Sequence, residues 1–265
     1  MSSTLTASPI LNDELPARPW CLPQAGRLPG IAPIEMSDWL WQLDTYAAQM
    51  AERERLLEKC PEKVLALQAD ARPAAEELFD LVLAQLETRP GFVREAGTLH
   101  CPDGRSVALD RSAPLRTLGR LVQEDLCLLV KPEGDDEHLL AGAVLCFPAS
   151  WTLAEKIGRP MLAIHIPVEV YDETLARRVQ RLLDGVRPDR PLARSNAFFY
   201  DDPALFQPRP ELDPRPAGGP TAAFFRSERQ CLIRLPESGA VAFSIHTILL
   251  ARSALTVEDR AALGT

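Results

Sequence analysis

The spacing of apolar residues changes along this chain, and the changes divide it. From Ser37, "SDWLWQLDTYAAQMAERERLLEKC" carries Trp39, Leu40, Leu43, Ala47, Met50 and Leu57 at mostly helical spacing, with Ser37 as the N-cap. After Pro73, "RPAAEELFDLVLAQLETRPG" puts Leu78, Val82 and Leu86 on one helical face, and Arg89 with Pro90 marks the stop. These helices read either as a cap over the C-terminal remainder of the chain or as ordinary core helices. Beyond Gly97, "GTLHCPDGRSVALD" alternates on both sides of Asp103 and Gly104, the composition of a tight hairpin. "LGRLVQEDLCLLV" reads as a helix and "HLLAGAVLCF" as a buried strand.

Further on, "PASWTLAEKIG" sets Thr152 three residues before Glu155, a capping box for a short helix that Gly158 ends. "DETLARRVQRLLDG" places Leu175, Val179, Leu182 and Leu183 on one face, turns its arginines to water and closes at Gly185. The clearest hairpin is C-terminal: "FFRSERQCLIRL", a "PESG" turn, then "AVAFSIHTILL". A four-residue turn sets Leu235 against Ala240, Cys231 against Ser244 and Arg229 against His246. The last two pairs fall on a face of mostly small residues, which suits either a flat ligand or a closely packed helix. Residues 1–35 are proline-rich and read as an irregular arm that docks through Trp20 and its leucines, leaving 36–265 as a single α+β domain with N-terminal helices.

Composition narrows the function classes. The 265 residues are 46% hydrophobic, enough for a sizeable core, and carry a net charge of −8. No window joins lysine and arginine to aromatics, so a nucleic-acid footprint is missing, and an anionic surface disfavours anionic membranes. The longest apolar runs are too short to span a bilayer and the N-terminus lacks a signal-peptide pattern, which points to the cytoplasm. Cys21, Cys60, Cys101, Cys127, Cys146 and Cys231 show no CxxC spacing and read as reduced thiols. Without GxGxxG after a strand or GxxxxGK[ST], a dinucleotide or nucleoside triphosphate has no motif, so a redox role would draw electrons from another protein.

One histidine stands out. His165 in "MLAIHIPVEVYDE" sits in a strand-forming apolar run, two residues before Pro167. An imidazole there must find a hydrogen-bond partner, stay neutral in a polar niche or bind a metal. His100 and His138 read as solvent-exposed.

Four ordered blocks, "LGRLVQEDLCLL", "AGAVLCFPASWTLAEKIG", "IHIPVEVYDETLARRVQRLLDG" and "RSERQCLIRLPESGAVAFSIHT", resemble the haem-dependent oxidative N-demethylase-like family over roughly residues 20 to 250. The resemblance implies a PAS-like antiparallel sheet flanked by helices and a non-covalent haem b. It also implies O2-dependent oxidation of a secondary amine such as dimethylamine to the primary amine and formaldehyde, with a separate NADPH-dependent reductase component. The family's I-H-x-P-V block falls on Ile164, His165, Pro167 and Val168, making His165 the expected axial ligand of iron and His246 its rival. Glu169 stands where relatives more often have a second proline.

The R-x-E-R-Q block falls on Arg226, Glu228, Arg229 and Gln230. For the haem propionates Arg229 is the first candidate, with Arg194 in "RSN" the second and Arg226 also considered. A cationic amine needs a carboxylate or an aromatic face. Glu228 is the candidate catalytic acid, and Glu228, Glu124, Asp125 and Phe198 are the candidate substrate contacts. Phe198 and Phe199 occupy positions where relatives often have tryptophan. Two alternatives stay open: a haem-binding PAS-like sensor, and a haem-free structural or interaction subunit.

Overall fold

The computed structural model describes residues 8–16, 30–165, 173–213, 218–219 and 221–263. Its strands are β1 (Ala32–Pro33), β2 (Leu65–Leu67), β3 (Val93–Glu95), β4 (Thr98–His100), β5 (Ser106–Ala108), β6 (Asp125–Val130), β7 (Leu139–Val144), β8 (Leu192–Tyr200), β9 (Phe224–Arg234) and β10 (Val241–Ala251). The helices are α1 (Tyr46–Lys59), α2 (Pro61–Val64), α3 (Arg72–Glu87), α4 (Pro114–Gly119), α5 (Leu153–Lys156), α6 (Met161–His165), α7 (Glu173–Gly185) and α8 (Val257–Ala262). Among the described residues the main layer is a seven-stranded antiparallel sheet, ordered β1-β8-β9-β10-β6-β7-β2, with a small β3-β4-β5 sheet beside it. The fold class is α+β. No helix among the described residues is long and apolar enough to cross a membrane.

Two apolar layers sandwich the main sheet. On one side Trp39, Leu40, Met50 and Leu57, with Leu78, Phe79, Val82 and Leu86 of α3, pack on Leu126, Leu128, Cys231, Ile233 and Ala242. On the other, Leu153, Met161, Ile164, Val179, Leu182 and Leu183 pack on Cys127, Leu129, Leu232, Val241 and Phe243. The alternation of β6 between the layers explains a correction. "DLCLLV" is a strand, not a helix, because burial on both faces removes the polar beats that would mark a strand of period two.

A second correction concerns α1, which begins at Tyr46 rather than near Ser37. Met36–Asp38 makes one 3-10 turn, and then the side chains of Glu124 and Gln123 accept hydrogen bonds from the backbone amides of Trp41 and Leu43 at 2.8 and 2.9 Å. Those amides are therefore served without a helix. The C-terminal hairpin has the expected register, Cys231 against Ser244 and Arg229 against His246, with the Leu235 amide donating to the Ala240 carbonyl at 2.8 Å. The β4–β5 hairpin forms as read, turning through Gly104 at φ +84, a conformation glycine adopts without strain. Thr152 precedes α5, but its hydroxyl bonds the Glu155 carboxylate instead of a helical amide.

The proline-rich segment contributes structure where it is described. Ala32–Pro33 pairs with β8 at the sheet edge, and the Asn12 side chain donates to Asp44 and Thr45 while its backbone amide reaches the Leu249 carbonyl. Trp20 lies outside the described residues.

Candidate functional site

The expected site residues divide between the two faces of the sheet. Arg229, Cys231, Ser244 and His246 share the small-residue face, and the segment before α1 packs on it. The Trp39 Nε1–H donates to the Ser244 hydroxyl at 3.0 Å, and Arg229 donates to the carbonyls of Trp39 and Asp38 at 2.8 and 2.6 Å. The Arg229 guanidinium also lies 4.3 Å from the Trp41 ring centroid, and Trp41 meets His246 edge-on. Among the described residues this face is filled as the closely packed alternative requires: α1 and α3 cover its Cys231 end, and Trp39 and Trp41 of the segment before α1 cover Ser244 and His246.

Glu124 is enclosed with them. Its Oε1 takes the Trp41 amide and lies 2.9 Å from His246 Nδ1, while both residues are 1% exposed or less. Burial would raise the Glu124 carboxyl, but attraction and hydrogen bonding from His246, with the Trp41 amide, hold it below the ordinary carboxylate range. Asp125 is equally enclosed. It accepts Arg53 Nη1–H at 2.6 Å and the amides of Cys146 and Phe147 at 2.6 and 2.8 Å, joining α1, β6 and the end of β7.

The opposite face carries the other candidates. Strand alternation sets Arg194, Asn196 and Phe198 of β8 beside Gln230, Glu228 and Arg226 of β9, on the same side as Leu192, Leu232 and Phe243. Asn196 and Glu228 clasp each other: Asn196 Nδ2 donates to Glu228 Oε2 at 3.0 Å, and the Glu228 amide donates to Asn196 Oδ1 at 2.9 Å. Arg226, 1% exposed, lies 3.3 Å from Glu228 Oε1 and donates to the Leu205 and Phe147 carbonyls and, at 3.4 Å, to the Thr247 hydroxyl. Arg194 is half-buried, and among the described residues its guanidinium has no hydrogen-bonding or ionic partner; burial alone pulls its pKa below the ordinary arginine value. Phe198 stands 52% exposed at the rim.

His165 ends α6, so its backbone is helical where a strand was expected. Its side chain and residues 166–172 lie outside the described residues. His100 is partly exposed and bonds Ser106, whereas His138 is a correction: it is fully buried, with Nδ1 2.9 Å from Gln180 Oε1. The acidic stretch "GDDEH" before it gave no hint, because burial comes from α6 and α7 folding back over it. Asn196 was also missed, although it shares a strand face with Arg194 by simple alternation. No group of three metal-ligating side chains occurs among the described residues. The five described cysteines are free, and burial pushes the thiols of Cys146 and Cys231 up to about 12 and about 11, as in inert core residues.

The strands and helices that build both faces of this sheet lie within a match to a known family. The model of the family described as haem-dependent oxidative N-demethylase, alpha subunit-like, matches residues 30–263. With nearly the whole described chain inside that match, the protein belongs to this haem-dependent oxidative N-demethylase alpha-subunit-like family.

Proposed function

We propose that this chain is a haem-dependent oxidative N-demethylase of a small secondary amine such as dimethylamine, releasing formaldehyde. In this reading a non-covalent haem b lies on the face shared by Arg194 and Phe243, under the α5–α7 side, so that this half of the molecule is PAS-like. The observation that carries it is Arg194, a half-buried guanidinium without a partner among the described residues. A half-enclosed guanidinium with no protein partner among those residues is free to take an anion, and its planar fork suits a propionate. The apolar layer of Leu192, Leu232 and Phe243 beside it suits the macrocycle. The residues present fit the group.

When bound, haem would supply oxygen activation and the oxidising power. His165 would hold the iron through a neutral ring nitrogen, and Arg194 would fix the orientation of the group by pairing a propionate. Glu228 would hold the alkylammonium by a charge-assisted hydrogen bond, its carboxylate already aimed by Asn196 and Arg226. Phe198 would offer a ring face to the cation. Arg229, His246, Glu124 and Asp125 take structural roles in this scheme: Arg229, Glu124 Oε1, His246 Nδ1 and Asp125 serve the segment before α1 and the strand ends, while Glu124 Oε2 and His246 Nε2 are buried without a partner among the described residues. The family description names an alpha subunit, in keeping with partner subunits, and a separate reductase would deliver electrons in the cytoplasm.

Amine titration tests the reading. In the haem-loaded protein, dimethylamine should shift the Soret band, and Glu228→Gln should weaken the affinity by about 1.5 to 3 kcal/mol without changing haem content. Equal affinities in both proteins would remove Glu228 from the substrate site. Haem binding without amine-dependent oxygen consumption would favour a sensor.

A further inference from the structure

The buried His138 joins three elements. It precedes β7; its carbonyl accepts the Met161 amide at the start of α6 at 2.9 Å, and its own amide and Nδ1 both face Gln180 Oε1 of α7 at 3.2 and 2.9 Å. A backbone N–H only donates, so the Gln180 atom it meets is the oxygen. That oxygen only accepts, so Nδ1 carries the imidazole proton. Nε2 is then a lone pair, buried and without a hydrogen-bond partner among the described residues. A proton placed there would be a buried cation whose new N–H finds no acceptor among those residues.

We propose that His138 is a positioning residue: uncharged, it ties α6 and α7 to the start of β7, and its protonation releases them. The charges that act on it come from α7, β9 and the residue after β6. Asp184 of α7 is attractive but lies 3.0 Å from Lys131, and Lys131 and Arg234 oppose a charged imidazole. Burial, the largest effect, lowers the pKa of His138 below its ordinary 6.5. The unfolded or released segment takes up a proton near 6.5 that the docked imidazole resists, so docking is complete above that pH and lost as pH falls below it. An open groove of about 410 Å³ lined by Glu137, Leu162, Arg177, Gln180 and Asp184 adjoins the same joint, so water already stands beside the partly exposed Gln180 and can replace its contact with His138.

Because α6 ends in His165, the joint would also set where that imidazole is presented. This last step rests on the haem reading; the joint itself does not. The test is amide hydrogen exchange of α7 in the full chain without haem, corrected for intrinsic rates, between about pH 7.5 and pH 5.5. Protection of Arg177–Gly185 should fall by up to about tenfold over that range. His138→Asn keeps a donor in the place of Nδ1 but cannot titrate, so it should retain protection at the higher pH and lose the pH step. His138→Phe should lower protection at both. A pH step that persists in His138→Asn, or unchanged protection in His138→Phe, overturns the proposal. Parallel haem titration keeps the two readings apart: the exchange pattern without a Soret band removes the haem reading alone, and a Soret band without the pattern removes the joint alone.

Discussion

Replacing Asp125 probes the most heavily connected buried carboxylate among the described residues. Asp125 and its partner Arg53 are 1% and 0% exposed, and Arg53 also donates to the carbonyls of Gly119 and Gln123 while lying over the Phe147 ring. Asp125→Ala leaves a buried guanidinium without its counter-ion, a loss of roughly 3 to 5 kcal/mol. It also strips the Cys146 and Phe147 amides of their acceptor, at roughly 1 to 3 kcal/mol each. These losses share atoms and do not add, but the first alone is a large share of the roughly 5 to 15 kcal/mol that holds a domain together. Asp125→Asn is the measurable form. It keeps one acceptor oxygen and removes the charge, for an expected loss of about 3 kcal/mol and a fall in Tm of roughly 6 to 12 °C. Urea unfolding followed by tryptophan fluorescence reads it. A loss below about 1 kcal/mol, the value of an exposed pair, would refute the account. Removing both charges in Arg53→Met with Asp125→Leu should destabilise less than Asp125→Ala.

Three further outcomes follow from the packing and the charges. Trp39→Phe breaks the bond to Ser244 and opens space under the sheet, so urea unfolding should show a loss of about 1 to 3 kcal/mol, while haem binding on the opposite face is unchanged. Gly119→Ala places a Cβ 2.6 Å from Val144 Cγ2 and should cost about 1 to 3 kcal/mol; a neutral result would mean that α4 moves freely over β7. Glu124 has a folded pKa below its ordinary 4.5, so its contribution is complete above that pH and lost as pH falls through the folded value. Stability of the wild type should therefore drop more steeply than that of Glu124→Gln below about pH 4.5, and parallel curves would show that the carboxylate is not charged in the fold.

Local pattern carried the reading furthest where structure is local. The β9–β10 register was legible because "PESG" fixes the turn and bulky and small residues alternate on either side of it. Burial on both faces hid β6, and the amides of Trp41 and Leu43 were claimed by side chains more than seventy residues away, which no window around Ser37 could reveal. The same long reach hid His138 beneath α6 and α7. At the site, alternation already separated Arg229 from Arg226 and Glu228, but not which face would be filled. Trp39 and Trp41 decide that, by closing the side on which Arg229 and His246 lie.

The central claim is that haem occupies the Arg194 face with His165 as ligand. Titration of haem into the full chain, followed at the Soret band, tests it most directly. The account predicts saturable binding that is abolished in His165→Ala, weakened in Arg194→Met and retained in His246→Ala. Absence of binding, or loss in His246→Ala with a normal band in His165→Ala, would contradict it.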